Sequence, residues 1–341
     1  MRIALVAPPY LTVPPSDYGG IELVVSLLAD GLVDRGHDVT LFASPGSDTN
    51  ARLAPALDTA PGPEALADEA YGLAHVLRAY EDTDAFDVIH DHTLQGPVLA
   101  ARREDGPPVV HTLHGPWTDA ARQYYQRIHR SVHLVAISES QKADNPDVSY
   151  AGVVPNGIDL TTYPLREDKE DILVFIGRSV PDKGPELAVE VAHRAGLPLV
   201  MVAKRAEPVE QRHWDSVVAP RLQGDEEIID AVGHDDKVEL LGRARALLMP
   251  IQWPEPFGLV MTEAMACGTP VVARPLGAAR ELVADGVSGF LRDSVEEMAA
   301  AVAGTGGLSP RKCRDHVAAS FSAEAMVDGY EEVFERVLNG S

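Results

Sequence analysis

Two glutamates, Glu255 and Glu263, stand on either side of a glycine in the segment WPEPFGLVMTEAMACGTPVV, residues 253–272. The residue pattern predicts a strand that ends near residue 250, then a loop, then a helix that starts near Leu259. The first N–H groups of such a helix lack intrahelical acceptors, and Gly258 would let another group approach the backbone closely. The segment therefore predicts an anion site, where a diphosphate would be held by backbone donors and by the helix dipole.

The two glutamates suit hydroxyl groups better than phosphate. Glu263 is expected one turn inside the helix, where a diphosphate would repel its carboxylate by roughly 1 kcal/mol or more. Its partner should therefore be a donor, and the two hydroxyls of a ribose match its two oxygens. Glu255 suits hydroxyls of a transferred sugar, or positive charge that develops at an anomeric carbon. The alternative is that both are solvated residues at a helix end.

Two cations frame a second segment, GRSVPDKG at residues 177–184, which follows the apolar run DILVFI. Arg178 and Lys183 would flank a turn at the carboxyl end of a strand, where they could neutralise the charge of a departing diphosphate. This arrangement would replace a metal ion, so we expect no metal in the site. An ordinary polar loop with a basic cap is the alternative.

The first half of the chain carries two further sets of candidates. In PPSDYGGIE, residues 14–22, Gly19 and Gly20 are predicted at the start of the first helix, where they would permit close approach of a phosphate or an acceptor. A flexible turn is the alternative there. The histidines fall in two clusters, each at the end of a predicted strand; they are His90, His92, His111 and His114. A metal site and satisfied buried histidines are both open interpretations of these clusters.

The elements that position these residues alternate between short apolar runs and amphipathic stretches, as in strands and helices around a parallel sheet. Predicted strands cover residues 3–7, 39–43, 88–90, 109–113, 134–137 and 153–154, then 172–177, 199–203, 246–250 and 270–273. Predicted helices cover 22–35, 119–130, 185–195, 259–267 and 323–338. The fold class is therefore α/β, with two Rossmann-like parallel-sheet domains facing across a cleft. We place the first domain at 1–162, the second at 163–322, and a final helical segment at 323–341, with 163–171 as the linker.

Charge and composition exclude several classes of partner. The 341 residues contain 29 Lys and Arg against 52 Asp and Glu, a net charge of −23. Neither nucleic acid nor an anionic membrane surface suits such a chain, because both select basic faces. The two cysteines, Cys267 and Cys313, are too few for a disulfide framework. The opening MRIALVAPPY is a strand pattern without a charged leader, and no run is long enough to span a membrane, so we expect a cytoplasmic protein with a small soluble acceptor.

Together, EPFGLVMTEAMACGTPVV, GRSVPDKG, VPNGID and YGGIE resemble retaining glycosyltransferase family 4 of the GT-B fold, over nearly the whole chain. The resemblance implies that Arg178 and Lys183 hold the diphosphate of a nucleotide sugar and that Glu263 holds its ribose. It implies Glu255 and His114 at the donor sugar, while His111 and His90 fill or edge the sheet.

The same resemblance implies that the amides of Phe257, Gly258, Leu259 and Val260 lie near the distal phosphate, and that the last helix returns to the first domain. The Asp82-Thr83-Asp84 triplet matches the DxD motif of metal-dependent glycosyltransferases, but it precedes an apolar run instead of following one. We therefore interpret the triplet as a surface turn.

These expectations combine into one hypothesis, a metal-independent retaining glycosyltransferase that needs no cofactor besides its nucleotide-sugar donor. A UDP-sugar is the first choice of donor, with GDP-, ADP- and dTDP-sugars as alternatives. The acceptor is expected at first-domain loops near residues 10–18, 43–73 and 116–125. A small-molecule or antibiotic tailoring pathway is the expected setting. Two other functions stay open: a nucleotide-sugar epimerase of the same architecture, and a non-catalytic sugar-nucleotide binding protein. The sequence leaves the oligomeric state open.

Overall fold

The computed structural model describes residues 1–16, 19–65, 68–103 and 105–340 of the chain. It divides into two compact units. Unit 1 comprises Met1–Gly157 and Ala323–Ser341, and unit 2 comprises Ile158–Ser322. The division after Gly157 precedes the expected boundary at residue 162, because Ile158 bonds to unit 2: its N–H donates to the Phe321 carbonyl over 3.0 Å.

Unit 1 is built on a seven-stranded parallel sheet in the order β3-β2-β1-β4-β5-β6-β7. Its strands are β1 (Arg2–Val6), β2 (Asp38–Phe42), β3 (Arg52–Leu53), β4 (Val88–Asp91), β5 (Val109–Thr112), β6 (His133–Ala136) and β7 (Tyr150–Val153). The helices between them are α1 (Gly20–Asp34), α2 (Glu69–Ala79), α3 (Gly96–Ala100), α4 (Asp119–Ile128) and α5 (Glu139–Ala143). Central strands such as β1 read as continuous apolar runs because a parallel sheet is buried on both faces.

Unit 2 repeats the arrangement with a six-stranded parallel sheet in the order β10-β9-β8-β11-β12-β13. Its strands are β8 (Leu173–Arg178), β9 (Leu199–Lys204), β10 (Glu227–Ile229), β11 (Ala246–Met249), β12 (Val271–Ala273) and β13 (Gly289–Leu291). Its helices are α6 (Pro185–Ala195), α7 (Pro208–His213), α8 (His234–Arg243), α9 (Leu259–Ala266), α10 (Ala279–Leu282), α11 (Val295–Thr305) and α12 (Pro310–Ser320). The strand order reverses between β1 and β4 in the first sheet and between β8 and β11 in the second, as it does in Rossmann-type sheets. The structure thus has the α/β class predicted from the sequence.

The last helix, α13 (Ala323–Leu338), packs within unit 1. Gly31 of α1 makes room for it, since a methyl group at that glycine would lie only 2.6 Å from Val327 Cγ2. Farther along α13, the buried Tyr330 hydroxyl lies 2.9 Å from Thr112 Oγ1 at the end of β5. The amphipathic pattern of this helix is therefore satisfied by the first sheet, although α13 follows unit 2 in the chain.

The segment expected to be a linker is anchored to unit 2. Tyr163 is only 2% exposed, and its carbonyl accepts a hydrogen bond from Arg314. Lys169 donates to the carbonyls of Gly242 at 2.7 Å and Cys267 at 3.0 Å. Burial lowers the pKa of the Lys169 ammonium to about 8. Residues 163–171 are thus part of the fold of unit 2, because their side chains fill gaps and satisfy carbonyls that the charge-rich sequence did not reveal.

Candidate functional site

The candidate site of unit 2 lies at the carboxyl ends of β8 and β11, which are neighbours in the sheet on either side of the point where strand order reverses. Ligands of open α/β sheets bind at such points. The loop after β8 and the loop after β11 are joined, because the Gln252 N–H donates to the Asp182 carbonyl over 2.8 Å. Gly184, which has a φ of 65°, lies so close to Pro250 that a side chain would overlap its carbonyl oxygen.

Lys183 and Glu255 meet across these two loops. Lys183 Nζ forms an ion pair with Glu255 Oε2, and the Trp253 indole N–H donates to the same oxygen over 3.0 Å. The ammonium group also lies 5.3 Å from the centre of the Trp253 ring. Glu255 is 7% exposed, so its carboxylate is held in one orientation. The sequence assigned Lys183 and Glu255 to different parts of a ligand, and it gave Trp253 no role.

Gly258 joins this loop to α9. Its φ of 94° lies in the left-handed region, and it caps α9 without a side-chain hydrogen bond. The first-turn amides of a helix have no intrahelical acceptors, so those of Leu259 and Val260 face the loop end of α9. Phe257 is buried with 3% exposure, whereas Leu259 and Val260 are partly exposed. The structure thus has the glycine-to-helix turn that the sequence predicted.

Glu263 lies on α9, buried to 4% exposure. Two donors reach the same oxygen, Oε1: the Tyr163 hydroxyl at 2.8 Å and Lys237 Nζ at 2.7 Å. Burial first, and then the neighbouring Glu263 carboxylate, raises the pKa of Tyr163 well above its ordinary value. Neither Tyr163 nor Lys237 was identified from the sequence, which placed Tyr163 in the linker and gave Lys237 no role.

Arg178 ends β8 and pairs with two acids of the loop and helix that follow β9. Its Nε donates to Glu210 Oε1 over 2.6 Å, and a terminal nitrogen donates to Glu207 Oε2 over 3.2 Å. Burial opposes ionisation of Glu210. The hydrogen bonds from Arg178 and from the Glu207 amide, together with the charges of Arg178 and Lys204, outweigh burial and lower the pKa of Glu210. The Arg178 side chain keeps 37% exposure.

In unit 1, Gly19 caps α1 and Gly20 is its first residue. A side chain at Gly19 would lie 2.8 Å from both Pro15 Cβ and Glu22 Oε2, so the glycine is required by its own loop. Glu22 is 7% exposed, and burial raises its pKa. The acceptor loop expected at residues 10–18 includes two residues, 17 and 18, outside the described part of the chain.

Two of the four histidines form a hydrogen bond with each other, and the other two bond to different partners. His92 Nδ1 lies 2.8 Å from His114 Nε2, His90 Nε2 lies 2.8 Å from Thr112 Oγ1, and His111 Nε2 lies 2.9 Å from the Tyr125 hydroxyl. Burial lowers the pKa of His114 to about 4 and that of His111 to about 3. The rings are therefore neutral at pH 7 and arranged as a hydrogen-bonded layer at the ends of β4 and β5.

Possible metal ligands converge elsewhere. Within the described ranges, one group of three brings its ligand atoms within 4.8 Å of one another: His193, Asp225 and Glu226. Glu226 already accepts hydrogen bonds from His193 at 2.6 Å and from the Gly224 amide at 3.0 Å, and these bonds stabilise its loop. Asp82 and Asp84 lie at an exposed 3-10 turn, Thr83–Ala85, that precedes β4.

Across the described residues, no helix has the length and apolar character needed to cross a membrane.

Two family models together match most of the chain. The model described as "Glycosyltransferase Family 4" matches residues 18–162, and the one described as "Glycosyl transferases group 1" matches residues 163–304. The chain is 30% identical over 317 residues to a phosphatidyl-myo-inositol mannosyltransferase of Propionibacterium freudenreichii subsp. shermanii, which covers 84% of this chain and 80% of the relative. It is 31% identical over 339 residues to a D-inositol 3-phosphate glycosyltransferase of Frankia alni, with 81% and 82% covered.

Solved structures with the same fold include AviGT4, a glycosyltransferase involved in avilamycin A biosynthesis. It superposes with a TM-score of 0.77 at 28% identity over 100% of this chain and 99% of that one. Sucrose-phosphate synthase from Thermosynechococcus elongatus superposes with a TM-score of 0.82 at 20% identity, over 100% of both chains. Anabaena HepE, solved in complex with UDP and glucose, has a TM-score of 0.73 at 20% identity, with 98% of this chain and 99% of that one covered.

Proposed function

This chain belongs to the family 4, group 1 glycosyltransferases of the GT-B fold, and we propose that it moves a sugar from a nucleoside-diphosphate sugar to a hydroxyl group of a small soluble acceptor, with retention of anomeric configuration and without a metal ion. The observation that carries this proposal is the Lys183–Glu255 pair beside the Gly258 turn, at the switch point of the second sheet.

The donor pyrophosphate would bind at the start of α9. Gly258 exposes the first amides of the helix, and the positive end of the helix dipole favours an anion there. An ammonium group has three N–H donors, and Glu255 occupies only part of that capacity, so Lys183 can also donate to a phosphate oxygen. Arg178, which is partly exposed, would add the second cation.

The sugar would lie against Glu255. One oxygen of this carboxylate is held by Lys183 and Trp253, and the other, Oε1, makes no hydrogen bond within the described part of the chain. Oε1 can therefore accept from sugar hydroxyls or stabilise positive charge at the anomeric carbon. We also propose that His114 contacts the sugar, with its neutral ring donating or accepting a single hydrogen bond.

In the proposed reaction the bond between the anomeric carbon and the phosphate oxygen breaks, and that electron pair leaves with the diphosphate. Lys183, Arg178 and the α9 amides stabilise the negative charge that develops. The acceptor hydroxyl attacks the anomeric carbon from the face of the leaving group, and its proton passes to the departing phosphate. The products are the glycoside and the nucleoside diphosphate, so no metal ion and no further cofactor is needed.

For the donor we propose a UDP-sugar first, with GDP-, ADP- and dTDP-sugars as the other candidates. For the acceptor we propose a small polyhydroxylated molecule in the cytoplasm, as in a tailoring pathway. The relative named for D-inositol 3-phosphate supports a compact acceptor, whereas another relative is named for phosphatidyl-myo-inositol, a lipid. The net charge of −23 supports an acceptor that is not presented on an anionic surface.

The test is a transfer assay with UDP-, GDP-, ADP- and dTDP-sugars, each against a panel of polyol and oligosaccharide acceptors, in the presence of excess EDTA. We expect turnover that survives EDTA, a product with the anomeric configuration of the donor by NMR, and a strong loss of rate in Arg178→Ala. Abolition by EDTA, or full activity of Arg178→Ala, would contradict the proposed mechanism. Conversion of the sugar nucleotide into a different one in the absence of acceptor would indicate an epimerase. Nucleotide binding without any turnover would indicate a non-catalytic binding protein.

A further inference from the structure

The protein holds the Glu263 carboxylate through only one of its two oxygens. The Tyr163 hydroxyl and the Lys237 ammonium both donate to Oε1, at 2.8 and 2.7 Å, although they come from different parts of unit 2. Within the described residues, Oε2 makes no hydrogen bond. One half of the carboxylate is thus fully used by the protein, and the other half keeps its lone pairs.

The Glu263 carboxylate is fixed because each of its two donors makes further contacts. Tyr163 is 2% exposed, and its carbonyl accepts from Arg314. Lys237 lies on α8, and its ammonium group is 6.0 Å from the centre of the Tyr163 ring, so the cation and the aromatic face attract each other. A carboxylate with two strong donors on one oxygen cannot rotate without breaking both hydrogen bonds.

We propose that Tyr163 and Lys237 are positioning residues that fix the Glu263 carboxylate so that its second oxygen accepts both hydroxyls of the donor's ribose, and that they make the enzyme selective for ribonucleotides over deoxyribonucleotides. This inference rests on the proposed function, since it concerns the same donor site. It narrows the donors to UDP-, GDP- and ADP-sugars and disfavours dTDP-sugars, which lack the 2′-hydroxyl.

The charge of Lys237 has a second consequence. A carboxylate near a pyrophosphate is repelled by it, and a cation bound to that carboxylate offsets the repulsion. Lys237 therefore lets an acid stand one helical turn from the proposed phosphate position. A lysine that touched the phosphate directly would act equally on any nucleotide. A lysine that acts through Glu263 affects ligands with ribose hydroxyls most, because only they would also lose hydrogen bonds to Glu263.

The experiment is a calorimetric comparison of the tightest binder among UDP, GDP and ADP with its 2′,3′-dideoxy analogue. In the wild type we expect the dideoxy analogue to bind at least about tenfold more weakly, as expected when hydrogen bonds to a charged group are lost. In Tyr163→Phe, affinity for the ribonucleotide should fall by about tenfold, while affinity for the dideoxy analogue stays within about twofold. In Lys237→Met both ligands should bind more weakly, because the Glu263 charge is no longer offset, and the ribonucleotide should lose about tenfold more than the dideoxy analogue. Lys237→Arg should recover part of the loss.

The matched control is Lys312→Met, which changes an exposed lysine of α12 in the same unit and should bind both ligands as the wild type does. At saturating donor the positioning variants should retain kcat within about twofold, so that the defect appears in the KM for the donor. Thermal unfolding of each variant shows whether it is folded, and the conservative Tyr163→Phe guards against a loss that is only structural.

Equal weakening of both ligands in Lys237→Met would overturn the inference, because Lys237 would then act on the phosphate or through the fold. A wild type that transfers sugar but binds the two ligands equally would overturn it too and leave the proposed function intact. A wild type that binds no nucleotide and transfers no sugar would overturn the proposed function, and this inference with it.

Discussion

Gly277, in the loop after β12, lies directly against the backbone of Glu255. It has a φ of 56°, and a Cβ at this position would overlap both the amide nitrogen and the carbonyl oxygen of Glu255. The next residue, Ala278, donates its N–H to the Glu255 carbonyl over 2.9 Å. The backbone of Glu255 is therefore held by a third loop, for which the sequence predicted no role.

Replacing Gly277 with alanine should damage the site as well as the fold. The left-handed backbone costs a residue with a Cβ about 1–2 kcal/mol, and the overlap with Glu255 cannot be relieved by rotating a side chain. We expect Gly277→Ala to lower both the unfolding midpoint and kcat/KM. The control is Gly286→Ala, which has a similar φ of 76° but nothing within 4 Å of the added methyl group. Gly286→Ala should lower the unfolding midpoint and leave kcat/KM unchanged. Equal kcat/KM in the two variants would refute the role of Gly277.

Lys183→Met should reduce kcat by about 10²–10³-fold, because it removes a cation from the position where negative charge develops in the proposed reaction. Lys183→Arg keeps the charge and should retain part of the activity. Asp182→Asn changes the exposed neighbour in the same turn and should remain close to the wild type. Steady-state kinetics with each variant test this, and a Lys183→Met enzyme with normal kcat would exclude Lys183 from the reaction.

Trp253→Phe isolates one hydrogen bond. The phenyl ring keeps the aromatic face beside Lys183 and loses the indole N–H that donates to Glu255 Oε2 over 3.0 Å. Hydrogen bonds to charged groups contribute about 1.5–3 kcal/mol, and Trp253 is only partly buried, so we expect kcat/KM to fall about tenfold. In a Lys183→Met background the same change should have a different effect, because both residues hold one oxygen. Strict additivity of the two changes would show that they act independently.

Unit 1 should lose stability as the pH falls below neutrality. Burial lowers the pKa of His75 to about 4, of His111 to about 3 and of His114 to about 4, and it also lowers the pKa of His90 and His92. Between pH 6.5 and these values the unfolded chain binds protons that the folded chain does not, so the free energy of unfolding decreases with falling pH.

Asp91 and Glu22 act with the opposite sign. Burial raises the pKa of Asp91 to about 6 and also raises the pKa of Glu22, so their protonation at lower pH relieves the folded state. The five histidines outnumber these two acids, and the net effect is a loss of stability between pH 7 and pH 5. His75→Leu removes one of them, away from the proposed site, and should lose less stability over that interval, by up to about 1.4 kcal/mol per pH unit. Thermal unfolding of the wild type and of His75→Leu at pH 5, 6, 7 and 8 measures this difference in stability. Identical pH profiles of the wild type and the variant would contradict the prediction.

Much of the architecture could be predicted from local patterns. Apolar runs of four to six residues indicated β1, β8, β9 and β11, because strands buried on both faces have few polar residues. The two-residue β3 and the three-residue β10 and β13 were missed, since runs so short carry no periodicity. The structure forms them only because neighbouring strands supply hydrogen-bond partners.

The candidate site was predicted as a set of residues but not as a set of contacts. The Lys183–Glu255 pair spans 72 residues of sequence, and the Tyr163–Glu263 hydrogen bond spans 100. No local pattern encodes such pairs. Tyr163 stands among charged residues that were interpreted as a linker, and no local pattern marked Gly277, so their roles could not be identified in advance.

The sequence by itself determined two α/β units and a helix that starts after Gly258, because strand length, helix periodicity and turn glycines are local signals read from neighbouring residues. The glycosyltransferase family followed from the resemblance of its motifs. Only the tertiary structure decided which oxygen of each glutamate is held and which is left open. That choice depends on Lys183, Trp253, Tyr163 and Lys237 arriving from separate loops and helices, and folding alone brings them to the same carboxylates.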